Sequence, residues 1–342
     1  MWLSHPSFPG LVKDAWSGTP NLPNAICSFT TKAKIWNKDH FGNIFYRKQR
    51  ICARLKGVQT ALVNNPNNFL IDLEKSLLTN LSSLANLEVE YWSMKSRITW
   101  VIEGDRNTTF FHNLALICWR RNHISSMKDS MVNWLNGDQE IVDYIRQGFI
   151  HLFTTSHCSA PRQEWQPLFW RCSLKAEDIS KLEHSITNKE ILAALHSLKP
   201  YKALGPDGFH TGFFQRFWLI VGNSVKNEVK QTLCTRKVLE YLNKTLITLI
   251  PKCNSPKALN NYRSICLCNT VYKVITKLIV TRLQPALDYL VSPLQAAFVP
   301  KRKGVDNAII VRELIHSISK KRGRGGVMAI KIDLEKAYDR LE

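Results

Sequence analysis

Val327-Met-Ala-Ile-Lys-Ile-Asp-Leu-Glu-Lys-Ala-Tyr-Asp339 lies three residues short of the end of the 342-residue sequence. Val327, Ile330 and Ile332 make it a β-prone apolar run, which delivers Asp333 to a strand end. Lys336, Ala337, Tyr338 and Asp339 follow at a spacing that suits a turn into a helix. Read alone, an Asp at such a place is a helix N-cap or part of a solvated turn. No Asp-Asp pair occurs anywhere in the sequence, and nine residues follow Asp333.

The string Ile332-Asp-Leu-Glu-Lys-Ala-Tyr-Asp-Arg340 resembles the first palm motif of reverse transcriptases of non-LTR (LINE-type) retrotransposons, especially those of plants. The resemblance implies that Asp333 is catalytic and binds divalent metal, Mg2+, and that Tyr338 lies under the ribose of the incoming nucleotide and helps exclude the wrong sugar. Chemistry explains the need for a carboxylate: in-line phosphoryl transfer is clamped by two metals about 4 Å apart, held from more than one strand. The family's second metal-binding motif, a hairpin with paired aspartates, has no counterpart here, so the resemblance implies a truncated polymerase site. Asp339 is divided between a structural cap and a site role.

Upstream, Gln295-Ala-Ala-Phe-Val-Pro-Lys-Arg302 and Asp306-Asn307 resemble the block that supports the template strand in that family, with Lys301 in place of its usual glycine. That exchange strains the loop if the position needs a positive φ. From Val299 to Lys331 nine Lys and Arg stand against two acids, a surface suited to backbone phosphate, with Arg302 a nucleic-acid contact. Asn269 to Leu290 has helical periodicity. Before it, Thr245-Leu-Ile-Thr-Leu-Ile250 and Tyr262-Arg-Ser-Ile-Cys-Leu267 read as two strands around a Pro/Asn/Ser loop. The pair resembles the fingers hairpin of reverse transcriptases, which implies that Lys252 and Arg263 hold the triphosphate of an incoming deoxynucleotide. Two cations flanking a hairpin suit that ligand, because charge builds on the phosphates as pyrophosphate leaves. Ser264 and Cys266 depart from the family's usual Pro and Ser.

Further upstream, Gly205-Pro-Asp-Gly208 is a turn by its chemistry, and with Lys202 and Ala203 it resembles another block of the family, Leu204 replacing proline. Phe213, Phe214, Phe217 and Trp218 read as helix core, and Thr187-Asn-Lys-Glu190 has capping-box spacing. Asn136-Gly137 predicts a turn and then a helix to about residue 153; 154–186 reads as a linker, its irregular part running from Thr154 to Trp170. Glu103-Gly-Asp-Arg-Asn107 and Cys118-Trp-Arg-Arg-Asn-His-Ile124 are similar to the block preceding the polymerase motifs, with Thr109 where lysine is usual, and Arg120 and Arg121 suit template phosphates. Two helical stripes, about 31–63 and 70–91, are split by Asn64-Asn-Pro-Asn-Asn68, which predicts an antiparallel helical hairpin. Residues 1–30 read as an irregular leader, resembling the tail that follows a lost endonuclease.

The formal net charge of +20 points to a polyanion, nucleic acid first and a membrane surface second. No apolar run approaches the length of a transmembrane helix, and no signal peptide is legible, so the expected setting is intracellular. The nine cysteines lack Cys-x-x-Cys spacing and fit a reduced compartment. Lys320-Lys-Arg-Gly-Arg324 reads as an import signal or as an exposed loop near the substrate; a nuclear site follows from the life cycle of the parent element.

The implied fold is α+β: a helical N-terminal extension (the pre-polymerase region 31–153) leading to the fingers and incomplete palm of a right-hand polymerase over 187–342. The implied partners are an RNA template, a DNA primer and deoxynucleoside triphosphates, with no membrane. Against this first reading, an RNA-directed DNA polymerase inactive alone, stand a non-catalytic basic RNA- or DNA-binding protein and a chain with no stable fold.

Overall fold

The computed structural model describes residues 2–18, 21–96, 108–154, 174–292, 295–296, 299–320, 328 and 330. Asp333, Tyr338, Asp339 and most of the C-terminal motif lie outside the described residues, as does Glu103-Gly-Asp-Arg-Asn107. Two compact units are present, each built from separated stretches of chain. The first holds α1 (Phe8–Trp16), α2 (Leu22–His40), α3 (Ile44–Asn64), α4 (Asn68–Ser96) and α5 (Thr108–Asn122). The second follows with β1 (Met127–Lys128), β2 (Trp134–Leu135), α6 (Asp138–Phe153), α7 (Ala176–Glu183) and α8 (Asn188–Ser197). The chain returns to the first unit for α9 (Thr211–Arg216), α10 (Trp218–Thr235), α11 (Glu240–Asn243), β3 (Thr245–Pro251) and β4 (Tyr262–Cys268). α12 (Thr270–Leu283), α13 (Leu287–Leu290) and α14 (Gly304–Lys320) belong to the second. Among the described residues the fold is mixed and mostly helical, with two antiparallel strand pairs, β1-β2 and β3-β4.

The core of the first unit begins where an irregular leader was expected. Pro9 and Pro23 stand in the first turns of α1 and α2, where a missing N–H costs nothing. Phe8, Val12, Ala15 and Trp16 then recur at helical spacing and are buried. Phe29 and Trp36 of α2 pack on them, and further partners come from far along the chain: Phe8 lies 5.6 Å from Phe217, and Trp16 lies 5.8 Å from Phe213, ring centre to ring centre. The Trp16 indole donates to the buried Ser224 hydroxyl at 3.0 Å, which removes the polar cost of its burial. Of the aromatic run read as helix core, Phe213, Phe214 and Phe217 are buried, whereas Trp218 is half-buried.

The helical hairpin is present, as α3 and α4. Lys48 pairs with Glu88 at 2.6 Å and Gln59 with Glu74 at 2.9 Å, so the helices run antiparallel. The first stripe is divided, however: Gly42 takes φ 55°, and the Asn43 side chain accepts the Tyr46 N–H and caps α3. A glycine followed by a capping Asn ends one helix and starts the next.

In the second unit Gly137 precedes α6 as the Asn-Gly turn predicts. The capping box is complete, with the Thr187 hydroxyl accepting from the Glu190 N–H and the Glu190 carboxylate accepting from the Thr187 N–H. Two expectations change. Ala176–Glu183, within the predicted linker, is helix α7. The helix predicted to run to Leu290 ends at Leu283, since Pro285 cannot supply the N–H an α-helix needs and a 3-10 turn, Gln284–Ala286, follows. Within the stretch read as a basic surface, Gly304–Lys320 is the helix α14.

Candidate nucleotide and nucleic-acid interface

β3 and β4 pair from Thr245↔Cys268 to Pro251↔Tyr262, with Ile250 opposite Arg263. Beyond the last pair the Lys252 N–H donates to the Asn261 carbonyl at 2.8 Å, so the ladder continues one step into the connection. Side chains alternate between the faces of a strand. Ile250 and Lys252 therefore share a face, and Arg263, opposite Ile250, shares it with them. Diagonal neighbours of this kind have Cβ atoms about 7 Å apart. Both cations are exposed. Lys252 Nζ donates to the Asn260 carbonyl at 3.1 Å, which occupies one of the ammonium's three protons. Like charges on one face repel, and a polyanion bound across both would remove that repulsion. Tyr262, beside them, is buried; burial, and then the nearby Cys253, raise its hydroxyl above the ordinary tyrosine range, so it stays neutral.

The root of the hairpin is fixed by a clasp that the sequence did not reveal. Asn269, buried at the end of β4, donates from Nδ2 to the Tyr241 carbonyl at 2.9 Å. Its Oδ1 accepts the Asp207 N–H at 3.1 Å. Gly205-Pro-Asp-Gly208 is thereby tied to the strand it precedes in sequence by about sixty positions. Gly208 takes φ 75°, the left-handed turn conformation. Gly205 is required for another reason: a Cβ there would stand 2.6 Å from the Asn269 nitrogen and from the Cys268 carbonyl carbon. Those are backbone atoms and cannot swing aside. Gly205→Ala is therefore expected to destabilise the first unit by about 3 kcal/mol, read as a lowered unfolding midpoint; an unchanged midpoint would show that the clasp can open without cost. The only local sign of Asn269 was an amide just ahead of a helix, which usually means a cap.

The other predicted contacts are placed as follows. Arg120 and Arg121 are exposed in the last turn of α5, in the same unit as the hairpin, and α5 packs against β3. The Arg302 guanidinium donates to the carbonyls of Asp288, Val291, Ser292 and Gln295 at 2.5 to 3.1 Å, so its donors serve the connection after α13. Engaging a phosphate would require breaking some of those bonds. Lys301 takes φ 67°, the strained conformation that its replacement of a glycine predicts. Asp333 and Tyr338 lie outside the described residues. Among the described residues no three His, Cys, Asp or Glu side chains come together to hold a metal, and Asp333, the predicted Mg2+ ligand, is not one of those residues. No helix among them is long and apolar enough to cross a membrane.

Residues 250–342 match the reverse transcriptase (RNA-dependent DNA polymerase) family. Over 359 aligned positions, covering 99% of this chain, the sequence is 25% identical to the transposon TX1 uncharacterized 149 kDa protein of Xenopus laevis. The chain spans 27% of that protein's length. The matched segment begins at the end of β3 and takes in both Lys252 and Arg263.

Proposed function

We propose, for a chain whose residues 250–342 match the reverse transcriptase family, that it forms the nucleotide-selecting part of an RNA-directed DNA polymerase of a non-LTR retrotransposon. In this reading the β3-β4 hairpin is the fingers element, Lys252 and Arg263 hold the triphosphate, and Arg120 and Arg121 take backbone phosphates of the template. Tyr338 forms the floor of the sugar pocket and Asp333 is the metal carboxylate. Divalent metal bound there would stabilise charge on the transferring phosphoryl group. The observation that carries the reading is the register of the hairpin, which puts Lys252 and Arg263 on one face.

The hairpin's own work is to bind and orient. Lys252 and Arg263 rise from one face of a paired ladder, so their backbone positions are set before the β- and γ-phosphates arrive and only the side chains must be ordered. A charge of +20 also favours a reading without catalysis, in which the chain binds RNA or DNA and selects no nucleotide. One experiment separates the two. The chain is mixed with an RNA template annealed to a DNA primer, and retention of each of the four deoxynucleoside triphosphates is measured. Preferential retention of the one complementary to the next template base is expected. Binding of the duplex with equal or no retention of all four would leave only the non-catalytic reading.

A further inference from the structure

We propose that the C-terminal end of α5 is a stacking platform for a base of single-stranded nucleic acid, with Trp119 under the base and Arg120 on the adjoining phosphate. The proposal rests on the nucleic-acid reading above and adds to it a specific aromatic contact. Trp119 is 61% exposed, more than any other described tryptophan that faces solvent. Every residue from Leu116 to His123 is exposed, whereas Phe111 in the first half of α5 is buried and His112 lies 4.5 Å from the Trp92 ring. The helix is thus anchored at one end and offers the other to solvent. His123 meets the Trp119 ring at 5.1 Å with the planes crossed by 66°, a contact that is not a parallel stack.

Charge is one-sided here. No acid occurs between Phe111 and Ile124, and Arg120 and Arg121 adjoin the indole. Arginines in a last turn also suit the helix dipole, which accounts for them but leaves an exposed indole unexplained. Successive residues leave a helix about 100° apart. Arg120 is then the neighbour able to reach the phosphate of a base resting on Trp119, while Arg121 points well away and suits a more distant one. An aromatic face beside arginine on a cationic surface is how proteins hold single strands without reading sequence, since every base has a π-face. α5 packs against β3, the strand that runs to Lys252, so the platform and the hairpin end belong to adjoining elements of one unit.

The test compares binding of two labelled oligomers of about 12 nucleotides, a length within ordinary single-strand site sizes, one an oligothymidylate and the other its abasic counterpart with the same charge. Trp119→Ala is expected to weaken oligothymidylate binding about tenfold and leave the abasic oligomer unaffected, Trp119→Phe to retain most of the affinity, and Arg120→Gln to weaken both. Equal loss of both oligomers in Trp119→Ala would make the residue merely structural, and no loss of either would remove it from the interface; each result overturns the platform and leaves nucleic-acid binding in place. Wild-type chain that binds neither oligomer would sink the nucleic-acid reading and the platform with it.

Discussion

Removing both hairpin cations, in Lys252→Ala with Arg263→Ala, is expected to weaken binding of a deoxynucleoside triphosphate by about a hundredfold, while the corresponding monophosphate loses only a few-fold. A hydrogen bond to a charged group contributes about 1.5–3 kcal/mol, and about 1.4 kcal/mol is a factor of ten. Two such contacts reach the top of that range only when dry, and both side chains are exposed, so the lower end applies. The loss should be shared unequally. Arg263 offers a planar fork suited to two phosphate oxygens. Lys252 already gives one proton to Asn260. Arg263→Lys keeps the charge and is expected to lose about tenfold, since one ammonium does not reproduce the fork. Neither residue is part of a core, so the unfolding midpoint should stay where it is. Triphosphate affinity that is indifferent to both substitutions would remove the hairpin from the nucleotide site.

The hairpin is also where the sequence was most informative. Thr245 to Ile250 and Tyr262 to Leu267 are β-prone around a Pro/Asn/Ser loop and both strands form there, although β3 takes in Pro251, which was expected to end it, and β4 runs on to Cys268; their pairing puts Lys252 and Arg263 on one face. Thr187 and Glu190 were legible for a similar reason, as a capping box closes within four residues. What escaped was long-range. Phe8 and Trp16 pack on Phe29 and Trp36 of α2, but the partners that join them to the rest of the unit, Phe217 and Phe213, lie some two hundred residues away, so nothing near those residues said that the leader was part of a larger core. Pro9 and Pro23, which look like breakers, are helix starters by position. Arg302 illustrates the same limit for the site. From its neighbours it is one more cation in a basic stretch; only the folded chain turns it onto four carbonyls.

Arg282→Met is expected to be the most destabilising change in the second unit, at about 3 kcal/mol near neutral pH, because this residue joins three helices. Projecting from the last turn of α12, its side chain is 13% exposed and its guanidinium bonds both oxygens of Glu190, at 3.0 and 3.1 Å. It also donates to the carbonyls of Leu182, His184 and Ser185 at 2.6 to 3.3 Å. Those carbonyls belong to the end of α7 and the turn after it, where a helix leaves its last acceptors without partners. Cutting a largely buried charged pair by removing one member costs about 3–5 kcal/mol, and the half-exposed Glu190 sets the value at the low end. Lysine cannot meet a carboxylate and three carbonyls together, so Arg282→Lys should recover little. The pH dependence follows from Glu190. Burial raises its pKa, but bonds from the Thr187 backbone and side chain and from Arg282 outweigh burial and hold it below the ordinary glutamate value of 4.5. A carboxylate with a lowered folded pKa stabilises fully above its unfolded pKa and loses that contribution as pH falls through the folded one. Hydrogen exchange across 176–197 and 270–283 should therefore show protection that weakens below about pH 4.5. In Arg282→Met the protection should already be reduced at neutral pH, with a shallower acid loss that Thr187 keeps from vanishing. Glu190→Gln should remove the acid loss assigned to this site. An acid limb equally steep in wild type and both variants would place the titration elsewhere and reduce the three-helix joint to simple packing.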